Sequence, residues 1–157
     1  MPRITPFLWF DGQAEEAANF YVSLFPNSRI VKVARYGEAG PGKQGSAITV
    51  AFELDGQEFI GLNGGPNFKF NEAVSFSIDC KSQEEVDHYW NNLTDGGAES
   101  QCGWLKDRYG LSWQVNPTVL GEMLTDPDPQ KAGRVMQAML GMKKIIIADL
   151  RRAYEGA

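Results

Sequence analysis

The chain has 157 residues, of which 43% are hydrophobic and 22% are charged, a composition typical of one ordinary globular domain and not of a disordered, collagenous or membrane protein. The formal net charge of −5 gives no cationic surface for a nucleic-acid partner. No apolar run approaches the ~18 residues of a membrane span, and the first residues lack the pattern of a secretion signal. We therefore expect a cytoplasmic protein with neither a nucleic-acid nor a membrane partner.

Few side chains of the kinds that usually carry out catalysis are present. His88 is the single histidine, so a catalytic triad, a histidine-rich zinc site or a histidine general base would each have to use it. Cys80 and Cys102 are the two cysteines, and we expect both to be reduced, semi-buried residues. Composition therefore leaves the catalytic residues unknown.

The first part of the chain predicts a strand, a helix and three further strands. An apolar, aromatic run comes first, and four apolar residues then recur at the spacing of one helix face. Asp55-Gly56 is typical of a two-residue hairpin turn between the last two strands, because these residues tolerate positive φ. The predicted bounds are 4–11 for the first strand, 13–25 for the helix, and 28–36, 47–54 and 58–62 for the later strands.

The same order begins again after the loop Asn63-Gly64-Gly65-Pro66. Residues 73–79 alternate small or polar side chains with apolar ones, which is the period of a strand with two different faces. Ser82-Gln83-Glu84-Glu85 is a capping box that opens a second helix, and Asp95-Gly96-Gly97 ends it. Three short strands are predicted after this helix, at 99–104, 105–108 and 112–116.

Two internal copies of one unit can be aligned. Corresponding positions share a strand-ending Asp, a pair of Glu, a pair of aromatic residues and a Leu: Asp11 with Asp79, Glu15-Glu16 with Glu84-Glu85, Phe20-Tyr21 with Tyr89-Trp90, and Leu24 with Leu93. We therefore predict an α+β fold in which a βαβββ unit is duplicated.

After Pro117 the pattern changes to helices. Asp126-Pro127-Asp128-Pro129 predicts a capped helix start, and an apolar stripe runs from there to Gly141. A further helix is predicted at 145–154. The predicted organisation is a single domain, 1–157, made of a first βαβββ unit at 1–66, a second unit at 70–117 and a C-terminal helical extension at 118–157.

Several short motifs stand out along the units and the tail: Trp9-Phe10-Asp11-Gly12-Gln13-Ala14-Glu15-Glu16-Ala17, Phe20-Tyr21, Phe25-Pro26-Asn27-Ser28, the loop 63–66 with Phe68, Phe70, Asn71 and Glu72, Asp107-Arg108-Tyr109-Gly110, Trp113-Gln114, and the tail from Val135 to Tyr154. With these motifs the chain resembles the vicinal oxygen chelate superfamily of glyoxalase, bleomycin resistance and dioxygenase proteins. Within it, the chain is most similar to the PhnB-like branch often labelled 3-demethylubiquinone-9 3-methyltransferase domain. The resemblance implies two curved mixed sheets around a cleft that holds a small molecule.

The resemblance also implies a divalent metal ion in the cleft. Enzymes of the superfamily hold this ion with a His on the first strand of each unit and a carboxylate on the last strand. Counting along the motifs puts these positions at Ile4, Ala73 and Gln114. Ile and Ala have no donor atom, and one neutral amide oxygen does not hold such an ion. We predict that the metal site is lost. The alternative is a different register or a site built from carboxylates such as Glu53 and Glu58.

The glycine residues of the chain do not form the pattern that a methyltransferase would be expected to show. An S-adenosylmethionine site usually has a Gly-rich loop between a strand and a helix, whereas the loop 61–66 leads into Asn67-Phe68-Lys69-Phe70. We interpret this loop either as an edge of the cleft or as a plain turn. No cofactor is predicted.

Polar and aromatic residues on the strands and loops are the candidates for ligand contact. The polar ones form either a solvent-facing surface or the hydrogen-bonding wall of a pocket, and the aromatic ones either clamp a flat ligand or belong to the core. Arg108 either forms an ion pair with Asp107, its neighbour in the turn, or binds an anion. The candidates are Trp9, Asn63, Phe68, Phe70, Ser75, Ser77, Trp104, Arg108, Gln114 and Asn116.

Two functions from different classes remain. The favoured one is a metal-independent protein that binds an apolar or aromatic small molecule, as the resemblance to bleomycin-binding proteins implies. The alternative is an enzyme acting on a small metabolite through polar groups such as Gln114 and Asn63. Binding is favoured because ionisable groups are absent at the expected metal positions.

A homodimer is also implied by the resemblance, since an open curved sheet exposes an edge and apolar surface that a partner or the second unit must close. The tail adds an apolar surplus at Met136, Met139, Leu140, Met142 and 145–147. Either the tail packs back on its own chain, or it crosses a two-fold axis to the partner.

Overall fold

The computed structural model describes residues 2–157, and the chain divides after Lys69 into two compact units. In the first unit the β1 strand pairs in parallel with β4, and the remaining neighbours are antiparallel, in the order β1-β4-β3-β2. Its elements are β1 (Phe7–Phe10), α1 (Ala14–Leu24), β2 (Arg29–Arg35), β3 (Ala47–Leu54) and β4 (Gln57–Asn63).

The second unit repeats this arrangement. Its sheet has the order β5-β8-β7-β6, again with the first strand parallel to the last and the other neighbours antiparallel. The elements are β5 (Ser75–Cys80), α2 (Gln83–Thr94), β6 (Ala98–Glu99), β7 (Trp104–Lys106) and β8 (Ser112–Pro117). The same helix position and strand order in both units confirm the predicted α+β fold with a duplicated βαβββ unit.

Several element bounds differ from the predicted ones. β1 begins only at Phe7 and β5 at Ser75, so Ile4, which is 91% exposed, and Ala73 precede their strands. The strand predicted at 99–104 is reduced to the two residues of β6. Its second half cannot stay extended because Cys102 and Gly103 have φ values of 56° and 83°.

An aromatic stack fills the first unit between α1 and its sheet. Tyr21 is fully buried on α1, because Ala17 and Tyr21 lie one helical turn apart on the face toward the strands. The Tyr21 ring lies 6.1 Å from that of Phe52, which lies 5.5 Å from that of Phe59. Burial of these large rings is the main local source of hydrophobic stabilisation.

The second helix packs in the same way on the second sheet. Ser82 caps α2 by accepting a hydrogen bond from the Glu85 backbone N–H at 3.2 Å, as the capping box predicts. Trp90 is 3% exposed and occupies the position equivalent to Tyr21. Further buried residues of α2 and of the strand faces beneath it include Val86, Tyr89, Leu93, Ile78, Trp113 and Val115.

Three helices follow β8: α3 (Thr118–Leu124), α4 (Pro129–Leu140) and α5 (Ile147–Glu155). Asp128 accepts a hydrogen bond from the Gln130 backbone N–H and caps α4, with proline at the first turn, as predicted. The α3 helix is absent from the predicted elements, since it has only 7 residues and no side-chain cap. A small core of their own unites the helices: Leu120, Met123, Val135, Ile145 and Leu150.

Hydrogen bonds fix these helices to the βαβββ part of the second unit. The backbone N–H of Cys102 donates to the carbonyl of Met142, and that of Gly103 donates to Lys143, each at 2.8 Å. The tail therefore packs back on its own chain, which is the first of the two predicted arrangements. Met136 and Leu140 are its large apolar side chains that stay exposed, at 40% and 53%.

The helices of the described residues are each 12 residues long or shorter. Within residues 2–157, none of them combines the length and the hydropathy that a bilayer span requires.

Candidate functional site

A row of hydrogen-bonded polar side chains runs along β5 and β8, on the face of the second sheet opposite α2. Gln114 donates to the Ser75 hydroxyl and Asn116 donates to the Ser77 hydroxyl, each at 2.9 Å. Asn116 also donates to Oε1 of Gln114 at 3.3 Å. The parallel register brings Ser77 beside Gln114, so four predicted candidates form one network.

A cavity of about 400 Å³ opens where this row meets the C-terminal helices, a volume within the range of small-molecule pockets. Its polar side has Gln114, Asn116 and Asp79, and Trp104 adds an aromatic ring. Its apolar side comes from α3 and α4, and the remaining lining residues are Cys102, Pro117, Thr118, Leu120, Gly121, Leu124 and Met139. Three of the predicted candidates, Trp104, Gln114 and Asn116, are thus brought together in one pocket.

Ser112 lies one step further along the same face of β8. Its side chain is fully buried, and its hydroxyl oxygen is the buried side-chain polar atom without a hydrogen-bond partner among the described residues. An unpartnered buried hydroxyl is unfavourable unless water or another group meets it. It therefore extends the polar face with hydrogen-bonding capacity that the protein itself does not use.

The aromatic candidates of the first unit hold the loop after β4 in place. The indole N–H of Trp9 donates to the Gly65 carbonyl at 2.9 Å, and the rings of Trp9 and Phe68 meet edge to face at 4.8 Å. A Cβ at Gly64 would come within 2.4 Å of the Trp9 ring, so only glycine fits there. Phe68 is 66% exposed. The contacts of Trp9 give it a structural role, which is to hold this loop in place.

Asn63 has a structural role in the same unit. Its Oδ1 accepts from the backbone N–H of Ala14, the first residue of α1, at 2.9 Å, and its Nδ2 donates to the Ala47 carbonyl at 3.1 Å. A depression of about 410 Å³ beside it contains Arg35 and Glu15, which pair through two hydrogen bonds of 3.1 and 2.6 Å. The hydrogen bond from Arg35 lowers the pKa of Glu15. These groups thus satisfy one another.

Two further candidates lie apart from the pocket in the second unit. Arg108, in the turn between β7 and β8, lies 3.6 Å from the carboxylate of Asp95. Phe70 is half-buried in the irregular segment that precedes β5. Neither residue belongs to the pocket lining.

The residues at the expected metal positions do not fit a divalent ion. Ile4 and Ala73 lie outside the strands, and Gln114 already has both ends of its amide engaged by Ser75 and Asn116. Among the described residues, no group of three or more His, Cys, Asp and Glu side chains comes together. A divalent ion requires several anionic or imidazole ligands around it.

The alternative carboxylates are engaged elsewhere. Glu53 and Glu58 are neighbours in the register of β3 and β4. Glu53 lies 3.3 Å from Arg29, and Glu58 lies 2.9 Å from Arg3. Each carboxylate thus has a cation as its partner, which is the arrangement of an exposed ion pair.

Several lining residues were not among the predicted candidates: Asp79, Cys102, Pro117, Met139 and the residues of α3. Asp79 continues the alternation of Ser75 and Ser77 along β5, so the period of the strand could have added it. The α3 residues carry an apolar pattern of helical period at 119, 120, 123 and 124, which was a usable signal. Cys102 could not be placed, because its position depends on the turn at Gly103.

A family comparison covers most of the chain. Residues 2–116 match the family described as 3-demethylubiquinone-9 3-methyltransferase. The chain belongs to this family. The match ends before α3, so the helices that form the apolar side of the pocket lie beyond the family region. The family description names a reaction, but it does not by itself assign that reaction to this chain.

Solved structures support the same assignment. A PhnB protein from Bacillus cereus, which carries the same family description, is 43% identical with a TM-score of 0.69, over 74% of this chain and 99% of that protein. FosX, a fosfomycin resistance protein from Listeria monocytogenes, is 14% identical with a TM-score of 0.56 and coverages of 80% and 98%. A glyoxylase/bleomycin resistance protein/dioxygenase domain from Frankia is 13% identical with a TM-score of 0.50 and coverages of 74% and 92%. No curated protein matches the chain.

The two more distant likenesses show the fold alone. The family match and the PhnB structure confirm the resemblance to the PhnB-like branch, and the fold is the one found in the glyoxalase, bleomycin resistance and dioxygenase proteins.

Proposed function

We propose that the protein binds a small organic molecule without a metal ion, and that the ligand occupies the pocket of the second unit. The observation that supports this most directly is the pairing of a hydrogen-bonding wall, Gln114 and Asn116, with an apolar wall from α3 and α4 around about 400 Å³. Mostly apolar cavities with a few fixed polar groups are the usual form of ligand sites.

The donor chemistry supports metal-independent binding. Superfamily-type metal chemistry would need His and carboxylate ligands, whereas Gln114 is a neutral amide held by Ser75 and Asn116. An ion at this place would have too few strong ligands to offset the free-energy cost of losing its bound water. The function therefore relies on hydrogen bonds and apolar contact.

The enzymatic alternative receives less support from the geometry. Asn63, one of its two proposed polar groups, is committed to the Ala14 N–H and the Ala47 carbonyl. His88 lies on α2 beside Tyr89 and Asn92, and it is not among the pocket residues. Gln114, the other proposed group, lines the pocket but is a neutral amide, which is not a general acid or base, so binding is the function that we favour.

A thermal-shift screen tests this function. The purified chain is screened with divalent metals, S-adenosylmethionine and aromatic metabolites, because a compound at 100 times its dissociation constant stabilises the folded state by about 2.7 kcal/mol. We expect organic compounds, and not metals, to raise the melting temperature. Stoichiometric metal in the purified protein, lost together with thermal stability on chelation, would contradict the proposal.

Two glycines provide a matched pair of variants for the screen. A Cβ at Gly121, in the pocket wall on α3, or at Gly133, on α4 outside the pocket, would meet no atom within 4 Å. Gly121→Phe should fill the pocket and abolish the shifts, whereas Gly133→Phe should keep them. Hits that survive Gly121→Phe would place the ligand elsewhere and overturn the proposed site.

A further inference from the structure

The apolar wall of the pocket is formed by the part of the chain that lies beyond the family match. Leu120 and Leu124 from α3 and Met139 from α4 line it, whereas the family match ends at residue 116. These residues cover part of the polar face that the second sheet would otherwise expose. The ligand chemistry of this pocket therefore depends in part on residues outside the family match.

This wall is held in place before any ligand arrives. The side chain of Gln83, at the start of α2, donates to the carbonyl of Ile145 at 3.1 Å and accepts from the backbone N–H of Ile147 at 2.8 Å. The backbone bonds of Cys102 and Gly103 to the segment before α5 add two further links. A preorganised wall reduces the ordering cost of binding.

The polar wall presents mainly hydrogen-bond acceptors to the cavity. Both N–H groups of the Asn116 amide are engaged, with Ser77 and Gln114, which leaves its Oδ1 as the free end. The Thr118 hydroxyl donates to Oδ1 of Asp79 at 3.1 Å, and the second carboxylate oxygen of Asp79 remains available. A ligand that meets these two oxygens must supply donors.

Charge gives the same preference. Asp79 is the one charged residue among the described residues that line the pocket, and an aromatic ring, that of Trp104, lines the cavity with it. A carboxylate attracts a cation directly, and an indole face attracts it through the ring quadrupole. An anion would meet the unfavourable charge of this carboxylate there.

We propose that the pocket selects an amphipathic organic cation, an amine or substituted ammonium carried on an apolar or aromatic body. Its charged head lies against Asp79 and Asn116, and its apolar body lies against Leu120, Leu124 and Met139. This inference rests on the proposed function, because it specifies the ligand class of the same site.

Three probes that share one ring and differ in head-group charge test the inference: 2-naphthylmethylammonium, 2-naphthylmethanol and 2-naphthoate. Binding is followed by NMR titration of the side-chain N–H signals of Trp104, Gln114 and Asn116. We expect the ammonium to bind about three- to fivefold more tightly than the alcohol, as for a partly exposed ion pair. The carboxylate should bind more weakly than the alcohol.

Matched variants identify the source of this preference. Asp79→Asn should remove most of the preference for the ammonium over the alcohol, whereas Asp11→Asn, the equivalent position of the first unit, should leave the preference unchanged. Gly121→Phe should abolish the shifts for every probe, and Gly133→Phe should not.

The outcomes separate the inference from the proposed function. Equal binding of the ammonium and the alcohol, with shifts at Trp104 and Asn116 that Gly121→Phe removes, would overturn the cation preference and leave the pocket a ligand site. Tighter binding of 2-naphthoate would also overturn the preference. If no probe shifts these signals, the inferred ligand class is wrong, and the proposed function is then decided by the broader screen.

Discussion

The two units share one backbone plan but present opposite chemistry on the sheet face that turns away from the helix. On the paired strands β1 and β4 of the first unit this face is mainly apolar, with Phe7 and Trp9 in register with Ile60 and Leu62. In the second unit it carries the polar row of Ser75, Ser77, Gln114 and Asn116. Both helix-facing sides, by contrast, are buried and apolar.

This difference shows which part of a duplicated unit is free to change. Successive strand residues point to opposite faces, so one face can be replaced residue by residue while the side packed on the helix stays apolar. The second unit has in addition acquired a helical wall at the end of its polar face. Fold and pocket chemistry are therefore specified by alternate residues of the same strands.

Deleting the residues after Leu124 should have the largest effect, confined to the second unit. The deletion removes Val135, Ile145 and Leu150, and leaves Leu120 and Met123 of their core uncovered. We expect monomeric or insoluble protein, measured by light scattering.

The same measurement tests the proposed homodimer. The tail covers its own unit, and Met136 and Leu140 are the large apolar side chains that it leaves exposed. A monomeric intact chain at micromolar concentration would contradict the homodimer. A well-folded dimer of the truncated chain would contradict a role of the tail in the interface.

Removing the equivalent aromatic anchors should destabilise the two units alike. Tyr21→Ala and Trp90→Ala should each lower the free energy of unfolding by about 3–5 kcal/mol, because each leaves a large cavity under a helix. Urea unfolding followed by circular dichroism measures this. The exposed helix positions Asn19→Ala and Asn91→Ala serve as controls, and a loss below about 1 kcal/mol for either anchor would contradict equivalent packing.

The reactivity of the Cys80 thiol measures the opening of the second unit alone in the same variants. Burial, more than the charges of Glu85 and Asp79, raises the pKa of its thiol to about 12, so it should react with a thiol reagent at neutral pH only when the unit opens. In a Cys102→Ser background, Trp90→Ala should accelerate labelling more than Tyr21→Ala does. Equal acceleration would mean that the units open together.

The turns that join the last two strands should differ in importance. In the second unit Asp107 is 3% exposed and accepts from the backbone N–H groups of Tyr109 and Leu111 and from the Trp113 indole, at 2.8, 3.1 and 2.9 Å. Asp107→Asn places an amide N–H against that indole and should cost about 2–3 kcal/mol.

The exposed turn of the first unit provides the control for this change. Asp55 has φ of 47°, a conformation that Asn also tolerates, so Asp55→Asn should be close to neutral. Equal urea midpoints for Asp55→Asn and Asp107→Asn would show that the buried carboxylate is not needed.

Chelation should have the smallest effect. Since neither sheet gathers a set of metal ligands among the described residues, dialysis against a chelator should leave the melting temperature unchanged, and added Mn²⁺, Ni²⁺ or Zn²⁺ should not raise it. Elemental analysis of the purified protein is the accompanying measurement. A stoichiometric ion whose removal lowers the melting temperature would contradict a metal-independent fold.

The sequence by itself determined the repeated unit, because periodicity is a local property. Helical spacing placed Tyr21 and Trp90 on the buried faces, the capping box at Ser82 marked the start of α2, and strand alternation placed Gln114 and Asn116 on a polar face. Each of these depends on neighbours within a few residues, so one chain read alone is sufficient.

Only the tertiary structure decided that those polar residues line a pocket. The pocket needs the turn at Gly103, the short α3 helix and the bonds from Gln83 to the segment before α5, contacts between residues far apart in the chain. It also gave Asn63 and Trp9 structural partners that no local pattern indicates. Such pairings are set by the packing of whole elements, and the period of a strand or helix carries no information about them.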